Sequence, residues 1–541
     1  MSVLPAVILF TSKSPAEETP DSLSVPIGLY NLRHVLNSSG IRCDVVDHQL
    51  NLECDYLLDL ENGIYDIIGI SVTHWRMLED LNFLHSLKEI YRRIGKHCLF
   101  IAGGVQATIN YKQWLKCGFD VVCLGYAEEA LLEICLKFGS SKSSYREFLK
   151  GCDGVAFLDD HGCMVHNPAK SLTNVKFEQL MYRNVIDIDL PYDRYWGFMR
   201  KKATGILLAN NRSYIIENGR LLTTSKCLAR CGFCCCPDFL KEAQGSALKP
   251  MSLTAEQVHH LIVHFVTKYG AKSFSINDED FLIGNKAGIE RAIDICNLII
   301  ASKQKRELPE NIRFSCQTRP NCFLIKDCEG VSTVNHRLMQ ALSKAGFHNI
   351  SLGVETFSDR LLSSASISKG ITSEKCHAVL KGLLENNLYP TINLILGIPE
   401  STTDELLETV RQVIQYMDSP CQISLVTHML SFPGSAIFSS EKYPTHDVTF
   451  VNPVNNESVC IKKYFLQHDE EMGLLIGQLD GVTQRELENY RNEYNLPKTA
   501  LLPRIIISLV TFLSIAKITN NETLLNRVAS KIQHFSKNLT V

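Results

Sequence analysis

Twice along the chain, short apolar runs of strand length alternate with amphipathic segments of helical spacing, and this switching restricts the fold more than any other feature. In the first stretch "AVILF" (Ala6–Phe10) precedes "IGLYNLRHVLNSSG", whose apolar residues recur at helical spacing and which closes on Gly40. "IRCDVVD" and the isoleucine-rich "YDIIGISV" (Tyr65–Val72) read as strands, and "FLHSLKEIYRRIG" as an amphipathic helix. "HCLFIAGG", "YKQWLKCG" and "FDVVCLG" continue the alternation as strand, helix and strand. Apolar strands separated by helices predict a parallel, doubly wound sheet, which binds ligands at the carboxyl ends of its strands. The turns at those ends are "SVTHW", "GGVQAT" and "GYAEE".

The second alternation runs from about residue 221 to 440, through "RLLTTS", "KSFSIND", "IRFSCQT", "NISLGVE", "PTINLILG" and "ISLVTHML". It predicts a partial or full (β/α) barrel. Between the two, "GVAFLDDHGCMVHN" signals a hairpin turning at Asp160, His161 and Gly162, and "IDIDLPYDRYW" reads as an extended connector. The expected organisation is an α/β domain over about 1–140, a connector with a hairpin over 141–220, the barrel over 221–440, and a mainly helical region over 441–541. "IIISLVTFLSIA" (Ile505–Ala516) is shorter than the ~20 residues of a membrane span and reads as a buried helix. The formal net charge of -3 gives no electrostatic reason to expect nucleic acid. The N-terminal "MSVLPAVILF" lacks a basic leader and a small-residue cleavage site, so a cytoplasmic, reducing location is expected for the 20 cysteines.

Five of those cysteines fall within ten residues, in "CLARCGFCCCP" (Cys227–Pro237). Cys227, Cys231 and Cys234 are spaced C-x3-C-x2-C directly after the first strand of the second alternation. Three thiolates on one short loop can hold three irons of a [4Fe–4S] cluster and leave the fourth iron open. Zinc is the alternative, but tetrahedral zinc wants a fourth protein ligand and no partner pair is evident. Cys235 and Cys236 lie outside the spacing and read as packing thiols.

With Phe233 just before the last cysteine, this segment resembles the radical S-adenosylmethionine superfamily. In that superfamily the open iron is chelated by S-adenosylmethionine, which is cleaved by one electron to a 5′-deoxyadenosyl radical. The resemblance implies that Phe233 packs near the adenine. It nominates Asp278 and Glu279 of "SINDEDF" for the ammonium, Arg319 of "CQTRP" for the carboxylate side, Glu355 of "SLGVETFSDRLL" for a ribose hydroxyl, and Gly397 of "ILGIPEST" for the adenine. Glu400 and Ser401 depart from the family's usual glycine and glutamate there. "SFPGSAIF" is similar to the segment that follows the sixth strand.

The N-terminal half resembles the cobalamin-binding domain that precedes such barrels, through "PIGLYNLRHVL", "GISVTHW", "IAGGVQAT" and "FDVVCLGYAEEALLEI". Tyr126 and Ala127 stand where that family usually has Glu-Gly. The resemblance implies cobalamin contacts at Ser71, Thr73, Gly103, Gly104, Gly125 and Glu128. The D-x-H-x-x-G turn that supplies a lower histidine to cobalt is absent from "TSKSPAEETPDS", and Asp47-His48 lacks the required glycine, so cobalt is expected without a protein histidine. His74, on a strand-end loop, is expected to be a polar residue facing solvent. The implied function is a cobalamin-dependent radical enzyme methylating an unactivated carbon of a small molecule or natural-product intermediate, with a flavodoxin- or ferredoxin-type electron donor. Cyclisation or ring rearrangement uses the same motifs. A methylthiotransferase would want three further clustered cysteines among Cys43, Cys54, Cys98, Cys117 and Cys123, and a non-catalytic cobalamin or redox sensor would not need an open iron.

Overall fold

The computed structural model describes residues 4–12, 24–50, 56–140, 145–202, 216–245, 250–326, 332–418, 421–467, 469–496, 502 and 504–537. Two parallel sheets organise them. The first contains β1 (Val7–Phe10), β2 (Cys43–Val46), β3 (Ile67–Ser71), β4 (Leu99–Gly103), β5 (Val121–Cys123), β6 (Val155–Leu158) and β7 (Met164–Asn167), in the order β2-β1-β3-β4-β5-β6-β7. β1 to β5 are parallel, and the expected hairpin extends the same sheet as the antiparallel pair β6–β7. Side chains alternate between its faces: Val7 and Leu9 pack against the helices Ile27–Ser38 and Glu128–Ser140, whereas Ile8 and Phe10 face the helix Met77–Ile94. The order 2-1-3-4-5 places a topological switch between β1 and β3, where two connections leave in opposite directions and open a crevice.

The second sheet is formed by β8 (Asn218–Leu221), β9 (Ser273–Ile276), β10 (Arg313–Thr318), β13 (Phe347–Glu355), β14 (Tyr389–Ile395) and β15 (Gln422–Val426). A short ribbon of β11 (Leu324–Lys326) and β12 (Ser332–Val334) interrupts the numbering. All six strands are parallel and adjacent in chain order. Of the two barrel forms expected, the structure adopts the open one: among the described residues no pairing joins the edge strands β8 and β15.

Two segments differ from expectation. Tyr192–Lys202 is helical, not extended, and with Asn174–Asp187 it is buried in the same core as the second sheet, so the connector is a wall rather than a tether. The C-terminal region begins with an antiparallel hairpin, β16 (Thr445–Val451) and β17 (Ser458–Phe465), followed among the described residues by three helices. β17 sends Val459 and Ile461 into the core of the N-terminal sheet. The apolar helix Arg504–Ile518 lies in the main core, with Ser508 Oγ donating to the Ile423 carbonyl of β15 at 3.2 Å. No described helix is long and apolar enough to cross a membrane.

Candidate active site

The cysteine loop leaves the carboxyl end of β8 and runs to the helix Cys236–Gln244, which starts with Pro237 in its first turn. Its beginning is fixed by Asp278. That fully buried carboxylate accepts from the Thr224 amide at 3.0 Å, from the Thr223 amide, and from the Thr223 hydroxyl at 2.5 Å. Farther along, Gly232 is pressed so closely on the Ala365 carbonyl that an added Cβ would lie 2.0 Å away, so no side chain fits between Cys231 and Phe233 at that point.

All five thiols of the loop are free. Burial pushes Cys227 up to about 11 and raises Cys231, while a hydrogen bond from the Cys236 thiol lowers Cys234. Cys227 Sγ accepts from the Ala229 amide at 3.4 Å. Among the described residues no three His, Cys, Asp or Glu side chains converge on a point that could hold a single metal ion. Three thiolates that each hold a different iron of one cluster need no common point, so the donor set fits the polynuclear group.

The nominated residues separate into those beside this loop and those spent elsewhere. Phe233 lies under the Lys369 ammonium, 5.8 Å from its ring centroid. Lys369 pairs with Glu355 at 2.8 Å, and both side chains are less than a tenth exposed. Burial opposes the Lys369 charge, but Glu355 outweighs it and the ammonium is held above its ordinary range. Glu355 itself has φ +68, a left-handed conformation costly for a glutamate and characteristic of functional positions. Arg319 donates through Nε to Asp280 at 2.9 Å, and Asp280 also accepts from Thr318 Oγ1 at 2.6 Å. Glu279 is exposed and bears on Cys234 and Cys236. Asp278, by contrast, is committed to Thr223 and Thr224 and positions the loop instead of facing it. Gly397 sits where β14 and β15 end, and a Cβ there would be 2.5 Å from the Thr427 carbonyl. Glu400, one of the departures from the family pattern, accepts from Ser366 Oγ at 3.0 Å and from the Tyr443 hydroxyl at 3.0 Å, bracing the segment that underlies Gly232. The sequence reading missed Lys369 and Asp280, whose only signal was a single cation in "SSASISKG" and one more acid in an acidic turn.

At the switch point of the first sheet is a cavity of about 480 Å³. Ser71, Gly103, Gly104, Gly125 and Glu128 line it, at the ends of β3 and β4 and at the turn after β5. Thr73 does not: its hydroxyl meets Ser12 Oγ at 2.9 Å and its amide donates to Asp80. Gly104 (φ +98) leaves a Cβ position 3.1 Å from Ser71 Oγ. Gly125 (φ +65) lies beneath Ala243, whose Cα would be 2.4 Å from an added Cβ, so the helix that follows the cysteine loop rests on the first sheet. The far wall of the cavity is Arg220, Leu221, Leu222 and Asn277, from the carboxyl ends of β8 and β9. The residues fit a corrinoid's nucleotide tail: the walls are mainly apolar, the glycines leave room, and Glu128 Oε2 is a buried acceptor without a partner.

Neither histidine near these strand ends is placed to serve as a lower ligand. His48 stacks on Phe10, 5.4 Å between centroids, and neighbouring Asp47 accepts from Tyr195 and, at 3.0 Å, from Thr11. His74 was expected at the surface. It is 2% exposed, covered by the C-terminal hairpin, and its Nε2 meets the Lys462 carbonyl at 3.2 Å. Most of "TSKSPAEETPDS", residues 13–22, lies outside the described residues.

Two family models match the chain: a B12 binding domain over residues 18–135 and the radical SAM superfamily over residues 221–413. A curated relative, an uncharacterized methyltransferase of Pyrococcus horikoshii, is 23% identical over 377 residues, which is 69% of this chain and 68% of the relative. Among solved structures, the cobalamin-dependent S-adenosylmethionine radical enzyme OxsB, with aqua-cobalamin and S-adenosylmethionine bound, aligns with TM-score 0.65 at 14% identity, covering 99% of this chain and 84% of that one. The radical S-adenosylmethionine methyltransferase TsrM from Kitasatospora setae, with cobalamin and a [4Fe–4S] cluster bound, aligns with TM-score 0.63 at 15% identity, covering 98% of this chain and 100% of that one.

Proposed function

We propose that this chain, a radical SAM superfamily enzyme with a B12-binding domain ahead of its radical SAM domain, is a methyltransferase acting on an unactivated carbon of a small molecule or natural-product intermediate. Its cofactors are a [4Fe–4S] cluster, S-adenosylmethionine and cobalamin. When bound, cluster and S-adenosylmethionine supply a 5′-deoxyadenosyl radical for hydrogen abstraction, and cobalamin carries the methyl group.

Cys227, Cys231 and Cys234 would hold the cluster. Burial keeps Cys227 and Cys231 protonated in the empty protein, so loading releases protons. Asp280 pins the Nε edge of Arg319, leaving the Nη groups to orient the carboxylate of S-adenosylmethionine. Glu279, exposed beside the cysteine loop, takes the ammonium. Glu355 takes a ribose hydroxyl while Lys369 balances its charge, and Phe233 and Gly397 border the adenine. Ser71, Gly103, Gly104, Gly125 and Glu128 hold the corrinoid tail. The observation that carries this reading is the shared wall: Leu221 and Leu222 close the tail cavity, and the same strand continues directly into the cysteine loop.

Methylthiolation would need the cysteines named for it in the N-terminal domain to gather at one point. Cys43 and Cys123 are buried on one face of the first sheet and Cys98 and Cys117 on the other, so they cannot converge; Cys54 lies outside the described residues. A reducing cytosol with a flavodoxin- or ferredoxin-type donor suits the five thiols of the loop, none of which is in a disulfide.

Anaerobic reconstitution is expected to give about four irons and one corrinoid per chain, with the iron lost in Cys231→Ala. Adding reductant and S-adenosylmethionine is expected to yield 5′-deoxyadenosine together with S-adenosylhomocysteine. Deoxyadenosine without the homocysteine product would replace methyl transfer by a ring rearrangement or cyclisation, and iron retained in Cys231→Ala would remove the cluster assignment.

A further inference from the structure

Glu128 stands out among the buried acids. It opens the helix Glu128–Ser140, is 6% exposed, and lines the cavity at the switch point of the first sheet. Its Oε1 accepts from Asn31 Nδ2 at 3.2 Å, but its Oε2 has no partner. Leaving a carboxyl oxygen unpaired in an apolar cavity is costly unless a ligand completes it.

The surrounding structure is built to hold that oxygen still. Gln179 Nε2 donates to Asn184 Oδ1 at 2.7 Å, Asn184 Nδ2 to Asn31 Oδ1 at 2.7 Å, and Asn31 in turn to Glu128. The chain of amides begins in a π-helical turn, Gln179–Arg183, a rare geometry that recurs at functional sites. The same turn supplies Leu180 and Met181 to the cavity wall. The other walls nearby are Leu29, Leu32, Ile101 and Leu131. A mainly apolar cavity in which Glu128 Oε2 is the buried side-chain oxygen left without a partner suits an aromatic heterocycle that carries a ring nitrogen able to share a proton.

Cobalamin contains such a group, the benzimidazole of its nucleotide, whose ring nitrogen is free whenever it does not ligate cobalt. We propose that Glu128 is the residue that recognises this base, its Oε2 sharing a proton with the ring nitrogen and so keeping the base off the metal. The assignment rests on the cobalamin reading given above. It explains how a lower histidine can be dispensed with: the base is held away by a carboxyl in the tail pocket rather than displaced by a protein ligand. Burial supports it by raising Glu128 to about 6, so that a proton shared with the ring nitrogen is held more readily than by an ordinary carboxyl.

The test compares two corrinoids by equilibrium dialysis, hydroxocobalamin and diaquacobinamide, the second lacking the nucleotide and its base. The wild-type chain is expected to bind cobalamin at least about tenfold more tightly than cobinamide. Glu128→Leu is expected to lose roughly that tenfold for cobalamin and to leave cobinamide within about twofold, which also shows that the variant is folded. Glu128→Gln, which keeps a donor at the same place, is expected to retain most of the preference. Unchanged cobalamin affinity in Glu128→Leu, or an equal loss for both corrinoids, would overturn the assignment while leaving the cobalamin reading intact. A wild-type chain that binds neither corrinoid would overturn both.

Discussion

A carboxylate at the start of a helix is ordinarily favoured in its charged form by the amides there, and in Glu128 burial outweighs that help. Desolvation raises it from 4.5 to about 6, while its own backbone amide and then Lys176 lower it, and Glu129 raises it, by smaller amounts. The sign follows directly. The folded state binds this proton more tightly than the unfolded state, so between those two values the stability contributed by Glu128 falls as pH rises. Above about 6 the group costs the empty protein about 2 kcal/mol. Urea unfolding of apo Glu128→Gln against wild type is expected to show little difference near pH 4 and a gain of about 2 kcal/mol for the variant at pH 7.5. A difference independent of pH would mean that Glu128 does not titrate in this window. Sequence carries such information unevenly. The spacing of Cys227, Cys231 and Cys234 is readable without coordinates, but Asp278 and Glu279 are adjacent acids that look equivalent in sequence. Only the end of β9 decides that one turns inward to Thr223 and the other outward to the loop. Lys369 was invisible for a related reason, because its meaning comes from Glu355 across a turn and not from its neighbours.

At the scale of elements, the two parallel sheets were legible because strand and helix differ in period. The hairpin β16–β17 was not, since its strands "THDVTFV" and "SVCIKKYF" are half polar and follow no helix that would mark a repeat. Its attachment is long-range. Asn452, wholly buried, donates to the Cys117 carbonyl at 3.1 Å, and its Oδ1 accepts from the Val454 amide at 3.0 Å. Val454 then fills the space left by Gly118, where a Cβ would be 2.7 Å from its Cγ1. Asn452→Ala is expected to cost about 1–3 kcal/mol by leaving the Cys117 carbonyl unpaired. Hydrogen exchange should then accelerate in residues 445–465. Acceleration spread evenly over the chain would show that the hairpin is no separate unit.

For the molecule as a whole, the tail cavity takes its walls from both sheets and from the connector, and Gly125 lies under the helix that follows the cysteine loop. Ligand binding there is expected to stabilise both halves at once. At a concentration of one hundred times Kd, hydroxocobalamin should add about 2.7 kcal/mol. Thermal unfolding followed by near-ultraviolet dichroism and by cluster absorbance should then shift upward together. A shift in only one of the two signals would show that the halves unfold independently. The hairpin also imposes an order on the making of this protein. Val459 and Ile461 complete a core that otherwise belongs to the first sheet, and Asn452 reaches its partner across 335 residues. At ribosomal rates of about 5–20 residues per second, the N-terminal domain waits roughly 20–70 s for the strand that closes it. Until then one apolar face of the nascent domain stays open to chaperones.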